Sequence, residues 1–253
     1  MKYFLRSLRK TLLKLSALFL AALLLLTAFF GVKGYMMYRD AVSETPVAEI
    51  VNAVRSRENF TTYDELPSIY IDAVISAEDK RFEYHFGIDP LAIGRAAWTN
   101  IKALSFKEGG STITQQIAKN LLFTQEKRFD RKFAEVFAAF ALEKEYSKEE
   151  LFELYVNTIY FGSGYYGIYD AAQGYFGKTP SELTDYEAVM LAGIPNAPSA
   201  YSPDNHMDLA TKRMSVVLER MTDCKKITGQ EAEAILREAE VQESKTPPQR
   251  VEY

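Results

Sequence analysis

Two carboxylates stand side by side at Glu78 and Asp79 in ISAEDKRFEYHFGID, residues 75–89, followed by Phe82 and by His85, one of two histidines in the chain. Entered as a helix from Ile69, the segment carries an apolar stripe on Ile71, Val74, Ile75 and Phe82, which His85 continues. Glu78 falls on that stripe, whereas Asp79, Lys80 and Arg81 point elsewhere. A carboxylate on a buried face loses hydration and becomes suited to moving protons near neutral pH. Spacing alone leaves open whether Glu78 acts on a substrate or is a buried structural acid. Glu135 is a second such acid, the only polar side chain in FAEVFAAFAL, residues 133–142. It must be paired, protonated or turned to a cavity. A salt bridge to Arg131, four residues earlier, satisfies it structurally; together with Glu78 it matches acid/base chemistry at a sugar acetal.

Between the two acids lies EGGSTITQQIAKNLLF, residues 108–123. Gly109 and Gly110 free the backbone, and Thr112 with Gln115 forms a capping box, so a helix should begin here with bare N–H groups and its positive dipole end exposed. Such a terminus accepts phosphate. Thr112, Gln116 and Lys119 share one face, and Ile113, Ile117 and Leu121 another. A solvated amphipathic face is the plain reading. The polar face, however, holds amides and one Lys rather than many charges, and Lys127, Arg128, Arg131 and Lys132 follow, which suits a pyrophosphate.

The elements that must position these groups are mainly helical. Ser-x-x-Glu or Thr-x-x-Glu boxes open at Ser147, Thr184 and Thr228, and alternating strand patterns are scarce. Residues 15–32 are an uncharged, mostly apolar run preceded by five basic residues and no acid, which predicts an uncleaved signal anchor with the basic flank in the cytoplasm. The expected divisions are a cytoplasmic flank at 1–14, an anchor at 15–33, a stalk at 34–63, one catalytic domain at 64–240 and a flexible tail at 241–253. Seven of the thirty basic residues precede the first acid, Asp40; the remaining 23 stand against 34 acids, a net −11 that argues against nucleic acid as a partner. The single Cys224 excludes an internal disulfide and a thiolate zinc cluster.

Five segments, in order, resemble the signatures of the peptidoglycan glycosyltransferases: EDKRFEYHFG, GGSTITQQIAKN, RKFAEVFAAFALEKEYSKEELFELYVNTIYFG, YGIYDAAQGYFGK and MLAGIPNAPSAYSP. The resemblance covers about residues 64–230. It implies a mainly α, lysozyme-like glycosyltransferase head with a smaller jaw lobe, about 86–128, preceded by one transmembrane helix. It implies polymerisation of lipid II into β-1,4 glycan strands with inversion and release of undecaprenyl pyrophosphate. Glu78 matches the general base and Glu135 the second catalytic acid. Thr112, Gln116, Lys119, Arg131 and Lys132 match donor positions near the pyrophosphate. Ser111, Gln115, Asn120, Lys127 and Arg128 complete that substrate-binding set, while Asp79, Phe82 and His85 match cleft residues around the base. The metal ligands are unknown: a Mg²⁺ or Mn²⁺ ion would be held chiefly by pyrophosphate oxygens. No organic cofactor is implied.

The partners implied are lipid II, the growing strand, the cytoplasmic membrane, separate transpeptidases and division or elongation proteins, with the catalytic domain on the periplasmic side. The only Ser-x-x-Lys is Ser7-Leu8-Arg9-Lys10 and no Lys-Thr-Gly follows, so no transpeptidase activity is expected. Residues 91–106, with Trp98, belong to the jaw; they either touch the outer leaflet or pack in the core. Two rival functions are a wall hydrolase or lytic transglycosylase, which has no use for the cationic stripe, and a non-catalytic anchored scaffold, which has no use for two buried acids.

Overall fold

The computed structural model describes residues 2–105, 109–123 and 129–245. Its helices in chain order are α1 (Lys2–Glu44), α2 (Val47–Arg55), α3 (Ser68–Glu78), α4 (Pro90–Ala103), α5 (Ile113–Leu122), α6 (Phe129–Glu145), α7 (Lys148–Thr158), α8 (Ile168–Phe176), α9 (Asp185–Gly193), the single turn α10 (Pro198–Tyr201), α11 (Pro203–Asp223) and α12 (Gly229–Lys245). Short 3₁₀ turns fill several of the gaps.

α1 is one unbroken helix, so flank, anchor and the first part of the expected stalk form a single rod. Its apolar residues from Leu12 to Phe29 face outward with no protein over them, and the helix is long and apolar enough to cross a membrane. The rest of the expected stalk is not one. α2 buries Val51 and Val54 in the main core, because their spacing of three puts both on the face that meets α7.

The core is assembled from helices that are apolar on several sides. α3 buries Tyr70 and every residue from Ala73 to Ala77, and α9 buries Glu187 to Gly193 without interruption. Neither shows a simple amphipathic stripe, because α9 and α11 pack on α3 while α11 and α12 pack on α9. The expected capping boxes form: Ser147 Oγ accepts from Glu150 N, and Thr184 and Thr228 donate backbone N–H to Glu187 and Glu231. Each such cap stabilises its helix by about 1 kcal/mol.

Two expected boundaries move. α5 lies inside the proposed jaw limits, yet Ile113, Ile117 and Ala118 are wholly buried in the main core; packing on α6 and α7 makes α5 part of the head. α4, which buries only Ala96, is the element that stands apart. α12 continues past residue 240 to Lys245, since the sequence offers no breaker before Pro247.

Candidate active site

α3 ends at Glu78, earlier than the continuous stripe through Phe82 and His85 predicts. Asp79 leaves helical geometry at φ −155°, and residues 82–84 form a 3₁₀ turn. The reason lies in tertiary contacts. Asp79 Oδ2 accepts the backbone N–H of Ile113 at 3.0 Å and meets His85 Nε2 at 2.8 Å. Gly87 N donates to His85 Nδ1 at 3.2 Å, which places the ring proton on Nε2, facing the carboxylate. Asp79 thus puts a negative charge on the N-terminus of α5, where the helix dipole favours it. Lys148 donates to the carbonyl of His85 and to Glu143, and Glu143 also accepts from Thr114 Oγ1. Phe82 is buried beneath this network, with Lys148 Nζ 4.6 Å above its ring. Asp79, Phe82 and His85 are therefore part of a buried network that joins α3 to α5 and α7.

Thr112 and Gln115 are occupied in the same way. Thr112 Oγ1 donates to the Gly87 carbonyl at 2.7 Å and accepts from Gln115 N, while Gln115 Oε1 accepts from Thr112 N. Both residues are buried. The capping box fixes the start of α5, and with it the direction of the next turns.

Those turns carry the groups that reach the two acids. Gln116 Nε2 donates to Glu78 Oε2 at 2.9 Å, and the Glu78 side chain keeps 12% of its surface open. Glu135 is 1% exposed and is paired twice from its own helix, with Arg131 Nε at 3.2 Å and Lys132 Nζ at 2.7 Å. Lys132 Nζ also donates to Ser111 Oγ, tying α6 to the loop before α5. Lys119, one turn along from Gln116, feels both acids. Burial pushes its ammonium below the ordinary lysine range; Glu135 and Glu78 pull it back up, and Arg131 and Lys132 push it down. Gln116 thus holds Glu78 to α5, and Lys119, on the next turn, lies within electrostatic reach of both Glu78 and Glu135. Asn120 lies beside them in the wall of a cavity of about 510 Å³, with Arg57, Thr158, Tyr160, Tyr166, Pro195 and Pro198 among its other walls. Lys127 and Arg128 lie outside the described residues.

Sequence reasoning missed Arg213. On α11, this buried guanidinium sets Nη2 3.8 Å from Glu78 Oε1 and donates from Nε to the Gly193 carbonyl. Burial pushes it down from its ordinary range while Glu78 pushes it up. Arg220, two turns on, donates to the carbonyl of Ala77, next to Glu78. Nothing in the local sequence singles these two out, since a polar helix with scattered Arg residues reads as solvated surface. Tyr160 and Tyr166, paired across a β-bridge with rings 4.7 Å apart, were likewise unmarked.

A carboxylate held by an amide and a guanidinium can accept a proton from a hydroxyl. A second acid paired with two cations, with Lys119 in electrostatic reach, marks a place where an anionic group can be neutralised. A family model described as Transglycosylase matches residues 43–222.

The chain belongs to the transglycosylase family.

This transglycosylase is 45% identical over 174 residues to penicillin-binding protein 1A of Aquifex aeolicus, covering 69% of this chain and 24% of that protein. It is 46% identical over 182 residues to penicillin-binding protein 1A of Neisseria gonorrhoeae, covering 72% and 23%, and 44% identical over 184 residues to penicillin-binding protein 1F of Bacillus subtilis, covering 73% and 26%. The chain therefore spans about a quarter of the length of these relatives. The crystal structure of penicillin-binding protein 1A from Haemophilus influenzae matches at 27% identity with a TM-score of 0.43, covering 71% of this chain and 17% of that one.

Proposed function

We propose that this chain is a peptidoglycan glycosyltransferase that polymerises lipid II into β-1,4-linked glycan and releases undecaprenyl pyrophosphate. The observation that carries the reading is the hydrogen bond from Gln116 to Glu78, with Lys119 one turn along α5 in electrostatic reach of both Glu78 and Glu135. The comparisons support it: the Transglycosylase family model matches residues 43–222, and proteins named penicillin-binding protein 1A align over 69–72% of this chain.

In this reading the acceptor's sugar 4-hydroxyl oxygen attacks the donor's anomeric carbon from the face opposite the leaving group, inverting it. Glu78 takes the hydroxyl proton. Gln116 holds one of its oxygens, and Arg213 faces the other, which keeps the carboxylate aimed. The bond between the anomeric carbon and the diphosphate oxygen breaks, and its electron pair leaves on the diphosphate. Lys119, Arg131 and Lys132 neutralise that charge, with Glu135 fixing the last two in place. Among the described residues no group of three or more His, Cys, Asp or Glu could hold a metal ion, and Glu135 is already engaged by two cations. These residues do not fit a protein-held divalent site, and no step is assigned to one.

α1 spans the membrane with its basic N-terminal flank in the cytoplasm, so the cleft faces the extracytoplasmic side. Incubating the full chain in detergent with labelled lipid II should give a ladder of glycan strands, and purified sacculi should release no soluble fragments. Glu78→Gln should fold, keeping its helical content, and lose at least about 10³-fold in polymerisation rate. Substantial turnover by that variant would remove Glu78 from the role of base.

A further inference from the structure

The burial pattern of α1 shows where the anchor meets the catalytic body. Phe30, Gly31, Gly34, Met37, Tyr38, Ala41 and Val42 recur at helical spacing as positions that lose solvent, and of these Gly34 alone is buried. The Phe30 ring stacks on Phe133 at 6.2 Å and lies 6.0 Å from Phe129, and Tyr35 meets Phe137 edge-on at 5.3 Å. α6 is therefore a helix of two faces. Phe129, Phe133 and Phe137, four residues apart, lie against α1, while Arg131, Lys132 and Glu135 serve the cleft.

Gly34 sits at the crossing. A Cβ built there would fall 2.8 Å from Ala134 N and 2.9 Å from the Phe133 carbonyl carbon, and nearer still to Phe133 Cβ. The first two are backbone atoms of α6, so a larger residue cannot be accommodated by a side-chain rotation; the two helices must separate. Gly31, nearly one turn earlier on α1, has nothing within 4 Å. The two glycines thus differ in surroundings while lying on the same helix.

Height along α1 gives the crossing its meaning. The apolar run ends at Val32, and two helical residues rise only about 3 Å. The start of α6 therefore lies at the end of the apolar rod, with Phe129, 79% exposed, beside it. We propose that Gly34 is a positioning residue: by letting α1 lie against the backbone of α6, it holds Arg131, Lys132 and Glu135 at the bilayer surface, at the level of a lipid-linked diphosphate. This rests on the reading of α1 as a span and of the cleft as a diphosphate site. The anchor then forms part of the donor site's frame as well as tethering it. Loss of the contact lets the catalytic body swing on the chain between α1 and α2 while its own core stays packed.

The test uses the full chain with Cys224→Ser and a bimane-labelled Phe129→Cys, reconstituted in phosphatidylcholine and phosphatidylglycerol vesicles containing brominated lipid. Quenching of the label reports the depth of the α6 start. Gly31→Leu should be quenched as strongly as its parent, and Gly34→Leu clearly less. Without the label, Gly34→Leu should lose about tenfold or more in kcat/KM on bilayer-embedded lipid II, since small misplacements of a reacting group are expensive. On a short-chain, water-soluble analogue it should stay within about twofold of the parent, because differential loss marks binding geometry rather than chemistry. Equal quenching in the two leucine variants overturns the proposal, whatever the activities. Equal loss on both substrates also overturns it, since α6 would then be distorted and not displaced. If the parent turns over neither substrate, the glycosyltransferase reading fails on its own and the depth measurement still decides the role of Gly34.

Discussion

Glu78 and Arg213 illustrate what single residues contribute to this site. The carboxylate is a hydrogen-bond partner of Gln116 and lies 3.8 Å from a guanidinium that is itself buried. Removing one member leaves the other with poor hydration, so the pair should show energetic coupling. In a double-mutant cycle on thermal or urea unfolding, Arg213→Met and Glu78→Gln should be non-additive by about 1 kcal/mol or more. Additive effects would show that the two groups do not sense each other. Arg213→Met should also lower kcat more than it raises KM, because it acts through the base. Lys119 gives a pH signature. Its folded value is depressed, chiefly by burial, so it loses its proton at lower pH than an unfolded-chain lysine. Between the two values the unfolded chain holds the extra proton, and stability rises with pH across that window. Donor binding moves the other way, since a neutral amine no longer attracts diphosphate. The alkaline limb of kcat/KM should therefore lie below the ordinary lysine range, and Lys119→Arg, which stays charged, should move it to higher pH. An unmoved limb would remove Lys119 from the binding set.

At the scale of elements, the decisive device is the start of α5. Its capping box is closed by Thr112 and Gln115, and its dipole end is met by Asp79 from α3. One carboxylate thereby links the end of the helix that carries Glu78 to the start of the helix that carries Gln116 and Lys119. Asp79→Asn retains the shape but removes the charge facing the Ile113 N–H and His85. It should lower stability by about 1.5–3 kcal/mol, the range for a hydrogen bond to a charged group, read as a fall in the denaturation midpoint. Activity should fall with it, because α5 aims both Gln116 and Lys119. A variant of unchanged midpoint would show that α5 is held by its apolar face alone.

The molecule as a whole is an apolar rod joined to a helical body, with one further lipophilic element. α4 presents Leu91, Ile101, Leu104 and Trp98 to solvent, Trp98 at 65% exposure and Leu104 at 93%. The core-packing alternative for Trp98 therefore does not hold, and the outer-leaflet reading is left. Binding of the purified protein to vesicles should shift Trp98 emission to shorter wavelength, and brominated lipids should quench it. Emission that stays unchanged on adding vesicles would place α4 away from lipid.

What the sequence determined by itself were the features set by local chemistry. The capping boxes at Thr112, Ser147, Thr184 and Thr228 name their helices, because a cap and its partner lie three residues apart. The apolar run at 15–32 is visible for the same reason, and an acid alone in FAEVFAAFAL announces a paired carboxylate through the cost of burying it. Tertiary structure decided whatever depends on neighbours distant along the chain. It ended α3 at Glu78, because Asp79 finds its partner on α5. It placed Arg213, 135 positions along the chain, against Glu78, and it drew α2 out of the expected stalk by covering Val51 and Val54. It also gave Gly34 its meaning and left Gly31 free, since two glycines three residues apart on one helix differ only in what α6 brings against them. Periodicity tells which face of a helix is covered, but only packing tells by what.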